Sequence, residues 1–244
     1  MLAAGESSST LESDHAPPAA PRHVSQLILD FGPPPAAGFD NFVAGRNREC
    51  LATLRALTQL LRDGAAPPHR FIYVWGPAGT GKSHLASAMR SQQLARLTVV
   101  DDCQCLDPAG QQQLFHRFDA MVQSPDQALV AFGDSPPARL PLMPELASRL
   151  AWGIVFALEP LADADLVDAM GRATRERGLT LGPDVAAYLL THTRRDMASL
   201  KAIIDRLDRL SLEQQRPVNL PMLRTLLKEA PAAPASSASP DRIT

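Results

Sequence analysis

Short, mostly apolar runs alternate with amphipathic stretches through the middle of the chain. Four of these runs are bounded by polar or turn residues, which is typical of buried strands: Phe71–Trp75, Leu97–Val100, Ala128–Phe132 and Ile154–Leu158. Ahead of them, apolar residues recur at spacings of three and four between Arg46 and Arg62, which predicts an amphipathic helix. Strands that alternate with helices predict an α/β fold with a parallel sheet, whose ligands bind at the carboxyl ends of the strands.

From Pro160 onward the pattern predicts helices alone. We expect a helix capped by Asp163 and ending near Glu176, a second that starts at Pro183, and a third opened by Asp196. A fourth should cover about 220–228. The sequence therefore predicts an α/β domain over 36–159 and a helical domain over 160–229.

Both ends of the chain are rich in Ala, Pro and Ser, so we expect disorder over 1–24 and 230–244. The formal net charge of −2 argues against a dedicated nucleic-acid arm and against strong direct DNA binding. No apolar run approaches the length of a membrane span, and no signal peptide is visible. Three unpatterned cysteines suit a reducing compartment, so we expect a cytoplasmic protein with no membrane partner.

A phosphate-binding motif follows the first strand directly. Its pattern is G-x-x-x-x-G-K-S, and the residues are Gly76, Pro77, Ala78, Gly79, Thr80, Gly81, Lys82 and Ser83, with His84 next in the helix behind them. The glycines allow backbone N–H groups to converge on a phosphate, Lys82 adds a positive charge, and Ser83 can complete a Mg²⁺ shell. The motif predicts that a nucleoside diphosphate or triphosphate, such as ADP or ATP, binds here with Mg²⁺.

Two acids, Asp101 and Asp102, end the second strand. After a phosphate-binding loop, this arrangement indicates that Asp101 holds Mg²⁺ through water and that Asp102 polarises the attacking water.

An isolated apolar hexapeptide, Gln26–Phe31, lies between the N-terminal stretch and three prolines. Its pattern Q-L-x-L-x-F resembles the peptide by which many bacterial replication and repair proteins bind the sliding clamp. We expect residues 25–35 to be a clamp-binding peptide and linker that contacts the clamp through Gln26, Leu27, Leu29 and Phe31. The alternative is a strand or strap on the protein's own core.

These motifs together resemble the DnaA-related AAA+ ATPases, and within them the Hda family of regulatory inactivators of the replication initiator DnaA. The resemblance covers about 26–228 and rests on six stretches: Phe39–Val43, Gly76–His84, Val100–Asp102, Gly133–Pro137, Leu146–Leu150 and Arg195–Met197. It implies an AAA+ P-loop sheet with a C-terminal helical lid. Only about fifteen residues follow Lys228, so the helix-turn-helix DNA-binding domain of DnaA is not expected.

The resemblance also assigns roles to individual residues. Phe42 and Val43 would pack near the adenine, and Arg149 would be the arginine finger that stabilises a transferring phosphate across an interface. Arg195 would be the second sensor, although Arg194 beside it leaves that assignment open by one position. The implied partners are the sliding clamp and DnaA, and the resemblance allows a homo-oligomer.

Two features depart from the family pattern. Lys82 and Asp101 are only nineteen positions apart, where the family has another strand and helix, so we predict a four-stranded sheet without the outer strand. Asp102 stands where many members have glutamate, and Gly133 lies near the place of a polar first sensor, with Asp134 able to compensate. Intrinsic ATPase activity should therefore be slow or absent.

The function implied is regulatory: the clamp-docked, nucleotide-bound protein stimulates hydrolysis of DnaA-bound ATP and prevents re-initiation. Alternatives are a DnaA-like helicase loader or initiation factor that binds single-stranded DNA, a small-molecule kinase, and a clamp-bound adaptor without regulatory activity.

Overall fold

The computed structural model describes residues 36–175 and 177–229. The predicted clamp peptide, with Gln26, Leu27, Leu29 and Phe31, lies outside these residues, as do both predicted disordered ends. Within the described residues the helices are α1 Arg48–Arg62, α2 Lys82–Arg90, α3 Pro108–Val122, α4 Pro144–Leu150, α5 Asp163–Arg175, α6 Pro183–His192, α7 Met197–Gln214 and α8 Leu220–Glu229. The strands are β1 Phe71–Trp75, β2 Leu97–Val100, β3 Ala128–Gly133 and β4 Ile154–Ala157.

The strands form one parallel sheet in the order β2-β3-β1-β4. Trp75 at the end of β1 lies opposite Gly133 of β3 and Ala157 of β4, so the carboxyl ends of these strands share one edge. The prediction of a four-stranded sheet is confirmed for the part of the chain that the structure describes. Because β3 is the central neighbour of β1 and β2, its end lies between the phosphate-binding loop and the acid pair.

Helices cover both faces of the sheet. On one face α1 and α2 bury Leu54 and Leu85 against Ile72, Val74 and Val130. The opposite face of the sheet meets α3 and α4, through a cluster that contains Tyr73, Leu114, Phe118, Leu129 and Leu146. Side chains alternate across a strand, so Tyr73 and Val74 belong to different faces, and this alternation sets the direction of each residue at the strand ends.

The pattern did not predict α3. Its start has a clear cause, since Asp107 accepts a hydrogen bond of 2.8 Å from the backbone N–H of Gly110 and Pro108 occupies the first turn.

The C-terminal helices pack on one another around a separate hydrophobic cluster. Its members include Leu166 and Met170 of α5, Leu200 and Ile204 of α7 and Leu223 of α8. Asp163 is the first residue of α5 and not its cap, and α5 extends to Arg175. Asp196 caps α7 as predicted, because its side chain accepts a hydrogen bond of 2.8 Å from the backbone N–H of Ser199. The division between two domains at residue 160 stays a prediction.

Candidate functional site

The phosphate-binding motif forms a tight loop between β1 and α2. Gly79 and Gly81 have φ angles of 83° and 94°, which L-residues with side chains rarely adopt, and Gly81 is the N-cap of α2. The hydroxyl of Thr80 donates to the carbonyl of Pro77 at 2.9 Å and closes the turn. The first turn of α2 therefore presents backbone N–H groups and the positive end of its dipole to the loop, an arrangement that suits a phosphate.

Lys82 is buried inside this loop. Its ammonium donates to the carbonyls of Gly76 at 2.6 Å and Pro77 at 2.9 Å. Burial lowers its pKa, and the nearby carboxylates of Asp101, Asp102 and Asp134 oppose that shift. The Lys82 ammonium is thus held inside the loop by two backbone carbonyls, and a phosphate oxygen could replace them as the hydrogen-bond acceptor.

Asp101 lies beside Ser83, the next residue of the motif. The two side chains are hydrogen-bonded, and Asp101 also accepts from the backbone N–H of Asp102 at 3.0 Å. Burial raises the pKa of Asp101, while the bond from Ser83 acts in the opposite direction. One hydroxyl and one carboxylate are the oxygen ligands that Mg²⁺ accepts from proteins when phosphates and water supply the others, so this pair fits the predicted metal.

Asp102 leaves the sheet in a left-handed conformation with a φ of 52°, which aspartate tolerates better than most residues. One of its carboxylate oxygens accepts from the side-chain amide of Gln104 at 2.9 Å. One of the two oxygens of the carboxylate predicted to polarise water is therefore held by a neighbour.

At the end of β3, Gly133 leaves no space for a side chain, because a Cβ atom there would lie 2.0 Å from the hydroxyl of Tyr73. The next residue, Asp134, is exposed and close enough to Lys82 to raise the pKa of the ammonium. Of the two residues named for this strand end, Asp134 is thus the one whose charge reaches the loop.

The N-terminal segment 36–47 contacts the end of the phosphate-binding loop and the start of α2. The Phe42 ring packs against Gly81, where an added Cβ would lie 2.6 Å from Cε2, and its centroid is 5.7 Å from that of His84. His84 Nε2 lies 2.9 Å from the carbonyl oxygen of Gly38, and burial lowers the pKa of the imidazole. This segment is therefore fastened to α2 directly behind the loop.

Phe42 and Val43 also line a cavity of about 520 Å³, within the range of ligand pockets. Its other walls come from the N-terminal segment, from α1 and from the lid helices, including Arg48, Asp165, Asp168, Arg172, Met197 and Lys201. The cavity has the size for a nucleoside, and sequence reasoning did not select Lys201 and Asp168 among its lining residues.

The start of α7 contacts the phosphate-binding loop. A Cβ atom at Gly79 would lie 2.7 Å from Cβ of Asp196, so this glycine is required by the lid as well as by its own φ angle. Nη1 of Arg195 lies 3.4 Å from Oδ1 of Asp163, and Nε of Arg194 lies 3.4 Å from Oδ2 of Asp196. Both arginines thus pair with aspartates of the lid, next in sequence to the Asp196 contact with the loop, and the choice between them as second sensor stays open.

Arg149 lies away from this site. It is in the last turn of α4, where its Nε donates to Oδ1 of Asp119 at 2.9 Å and its guanidinium lies 5.8 Å from the ring centroids of Phe115 and Trp152. Trp152 stacks on Phe71, the first residue of β1, at a centroid distance of 6.1 Å. Phe71 begins the five-residue strand β1, and the phosphate-binding loop follows the other end of this strand, about 16 Å away. Arg149 therefore cannot serve the site of its own chain.

Comparison with known families identifies the helical domain. Residues 163–227 match the family described as "Hda, lid domain". This match is confined to the C-terminal helices.

Solved structures identify the fold. The structure is similar to domain III of the Thermotoga maritima replication initiation protein DnaA, with a TM-score of 0.66 and 19% identity over 80% of this chain and 98% of that one. AMPPCP-bound DnaA from Aquifex aeolicus gives a TM-score of 0.60 and 20% identity over 73% and 68% of the two chains. The Thermotoga maritima RuvB Holliday junction branch migration motor gives 0.59 and 17% over 79% and 71%.

The predicted AAA+ fold is confirmed, and its C-terminal helices are the part of the chain that matches the Hda lid family. No helix within the described residues has the length and apolar character needed to span a membrane.

Proposed function

We propose that this chain is a nucleotide-bound regulator of replication initiation that stimulates hydrolysis of DnaA-bound ATP. The Hda-type lid and the DnaA-like fold support a DnaA-related replication role. The observation that carries the regulatory function is the position of Arg149, which is half-buried at the end of the sheet opposite to its own phosphate-binding loop.

Nucleotide binding is supported by the loop geometry and by the AMPPCP-bound DnaA neighbour. ADP or ATP would lie with its phosphates on Gly79–Ser83 and its base in the cavity lined by Phe42 and Val43. Ser83 and Asp101 would hold Mg²⁺, which neutralises phosphate charge when bound. Arg194 or Arg195 would reach the phosphates from the lid.

Slow intrinsic hydrolysis follows from the same residues. The Asp102 carboxylate is engaged by Gln104, and Gly133 offers no side chain to orient water. Both features weaken the hold on an attacking water, so we expect the nucleotide to act as a structural ligand that joins core and lid.

Arg149 would act on a second protein. Placed at the bound ATP of DnaA, its guanidinium would stabilise the charge that develops on the transferring phosphate, an effect of roughly a thousandfold or more where arginine fingers have been studied. DnaA would then pass to its ADP form. Docking of Gln26, Leu27, Leu29 and Phe31 on the DNA-loaded sliding clamp would raise the local concentration for this contact.

The test measures ATP hydrolysis by DnaA in the presence of clamp-loaded DNA and this protein, as wild type and as the Arg149→Ala and Gln26→Ala variants. Arg209→Ala is the matched control because it removes an exposed arginine from α7 of the lid. We expect stimulation by wild type and by the control, and loss of stimulation in the other two variants.

Other outcomes favour other functions. Absence of stimulation by a folded, clamp-binding, nucleotide-bound protein would contradict the regulatory function. Stimulation that survives Arg149→Ala would favour a clamp-bound adaptor. Trp152, 61% exposed beside Arg149, gives the helicase-loader alternative its one structural support, and tight binding of oligo(dT) with quenching lost in Trp152→Leu would favour it.

A further inference from the structure

A tyrosine from β1 occupies the end of β3. Tyr73 is 1% exposed, and its hydroxyl lies where a Cβ atom on Gly133 would be, at 2.0 Å from the ideal position. The ring atom Cζ would be 3.1 Å from the same Cβ. A side chain at position 133 would therefore force the buried tyrosine to move.

The hydroxyl of Tyr73 also fixes the loop that follows β3. It donates to the backbone carbonyl of Ser135 at 2.8 Å, and the hydroxyl of Ser135 donates to Oδ1 of Asp134 at 2.8 Å. Ser135 is thus held at its backbone by Tyr73 and holds the Asp134 carboxylate with its side chain. The two bonds connect the sheet interior to an exposed carboxylate.

The Asp134 carboxylate directly follows the last residue of β3. Phe132 belongs to the cluster formed with α1 and α2, and a side chain at position 133 would point to the other face, toward Tyr73. Asp134 lies in the bend that follows β3, and its charge raises the pKa of both the Lys82 ammonium and the Tyr73 hydroxyl, so it lies near both groups. Asp134 thus lies at the strand end between the phosphate-binding loop and the acid pair.

We propose that Tyr73 is a positioning residue of the nucleotide site, which fixes Ser135 and through it directs the Asp134 carboxylate toward the terminal phosphate. The inference rests on the proposed binding of a nucleotide to this loop. Asp134 would contact the third phosphate of a nucleoside triphosphate through a water molecule. A diphosphate has no third phosphate and would not make this contact. Tyr73 is buried and touches no ligand itself.

A double-mutant cycle tests the connection. We would measure the affinities for ATP and ADP, each with Mg²⁺ and by displacement of a fluorescent ADP analogue, for Tyr73→Phe, Asp134→Asn and the double variant. Tyr188→Phe is the matched control, since it removes the other tyrosine hydroxyl of the chain from the lid helix α6.

We expect Tyr73→Phe to weaken ATP binding by about threefold to tenfold, the range for one lost hydrogen bond, with ADP affected less than about twofold. In the Asp134→Asn background the same substitution should have no further effect. Tyr188→Phe should leave both affinities unchanged.

Additive losses in the double variant, or equal weakening of ATP and ADP, would refute the positioning role and leave nucleotide binding intact. Failure of the folded wild type to bind either nucleotide would instead overturn the proposed function together with this inference.

A stability measurement tests the steric part independently. The loss of Tm caused by Gly133→Ala should be about 4 °C or more greater in the wild type than in the Tyr73→Phe background. The reason is that phenylalanine lacks the hydroxyl oxygen that would clash with the new methyl group. Equal effects in the two backgrounds would show that the hydroxyl does not occupy this space.

Discussion

The ion pair with Asp119 competes with any contact that the Arg149 guanidinium makes with a second protein, and the strength of this competition can be measured. The Nε–Oδ1 distance is 2.9 Å, and the side chains are 41% and 40% exposed. Pairs this exposed contribute about 0.2–1 kcal/mol. Such a free energy corresponds to a factor of about 1.4 to 5 in the population of unpaired guanidinium.

Asp119→Asn should therefore raise the stimulation of DnaA-bound ATP hydrolysis by up to about fivefold when the protein is below saturation. The substitution keeps the size of the side chain and removes its charge, so Arg149 remains over Phe115 and Trp152. The Tm should change by no more than about 3 °C, because the pair contributes little to the free energy of unfolding.

Asp126→Asn is the control for this experiment. Asp126 forms an exposed pair with Arg96, with a distance of 3.9 Å between Nη1 and Oδ2. It should leave stimulation unchanged. A rate at or below the wild-type rate for Asp119→Asn would refute the competition, and a fall to the Arg149→Ala rate would mean that Asp119 positions the arginine for its partner.

Three further results are expected. Gly79→Ala should lower the free energy of unfolding by about 2–3 kcal/mol in thermal unfolding, because it combines a positive φ with a clash against Asp196. Gly178→Ala is the control, with a φ of 69° and nothing within 4 Å of an added Cβ, and should cost about 1 kcal/mol. Equal losses would contradict the contact between the lid and the loop. Ser83→Ala should abolish the Mg²⁺-dependent part of ADP affinity in titrations with and without EDTA, and an unchanged Mg²⁺ effect would exclude the hydroxyl as a ligand. Because burial lowers the pKa of His84, the unfolded state binds the proton more readily, so the free energy of unfolding should decrease as the pH falls below about 6.5. His84→Gln should reduce this pH dependence in urea unfolding. An identical pH dependence in the variant would contradict the assignment to His84.

The strands and the lid helices were predictable because each is defined by its own residues. The four apolar runs coincide with β1 to β4 within one residue at each end, and the apolar stripe after Asp196 forms the core of α7. Helix α3 was missed because only Leu114, Phe118 and Met121 of its fifteen residues are buried, which leaves a weak apolar stripe. The Asp107-Pro108 start was the available signal.

The candidate site was predictable to the extent that its motif is local. Gly76–Ser83 specifies the loop by itself, but the contacts of Asp196 with Gly79 and of Tyr73 with Ser135 join segments far apart in the chain. A sequence pattern cannot show which buried tyrosine will reach a strand end. The partner of Arg149 was hidden for the same reason, since Asp119 belongs to the helix that was missed.

The separation of Arg149 from the phosphate-binding loop makes the molecule directional. One edge of the sheet can receive a cation from a neighbour and the opposite edge can donate one, so any interface that joins the two is heterologous. A two-fold dimer brings identical edges together and leaves both arginines without a phosphate. If Arg149 acts on the nucleotide of a neighbouring protein, as proposed, the two proteins would meet head to tail, and the chain's own phosphate-binding loop would remain accessible at the far end of the pair.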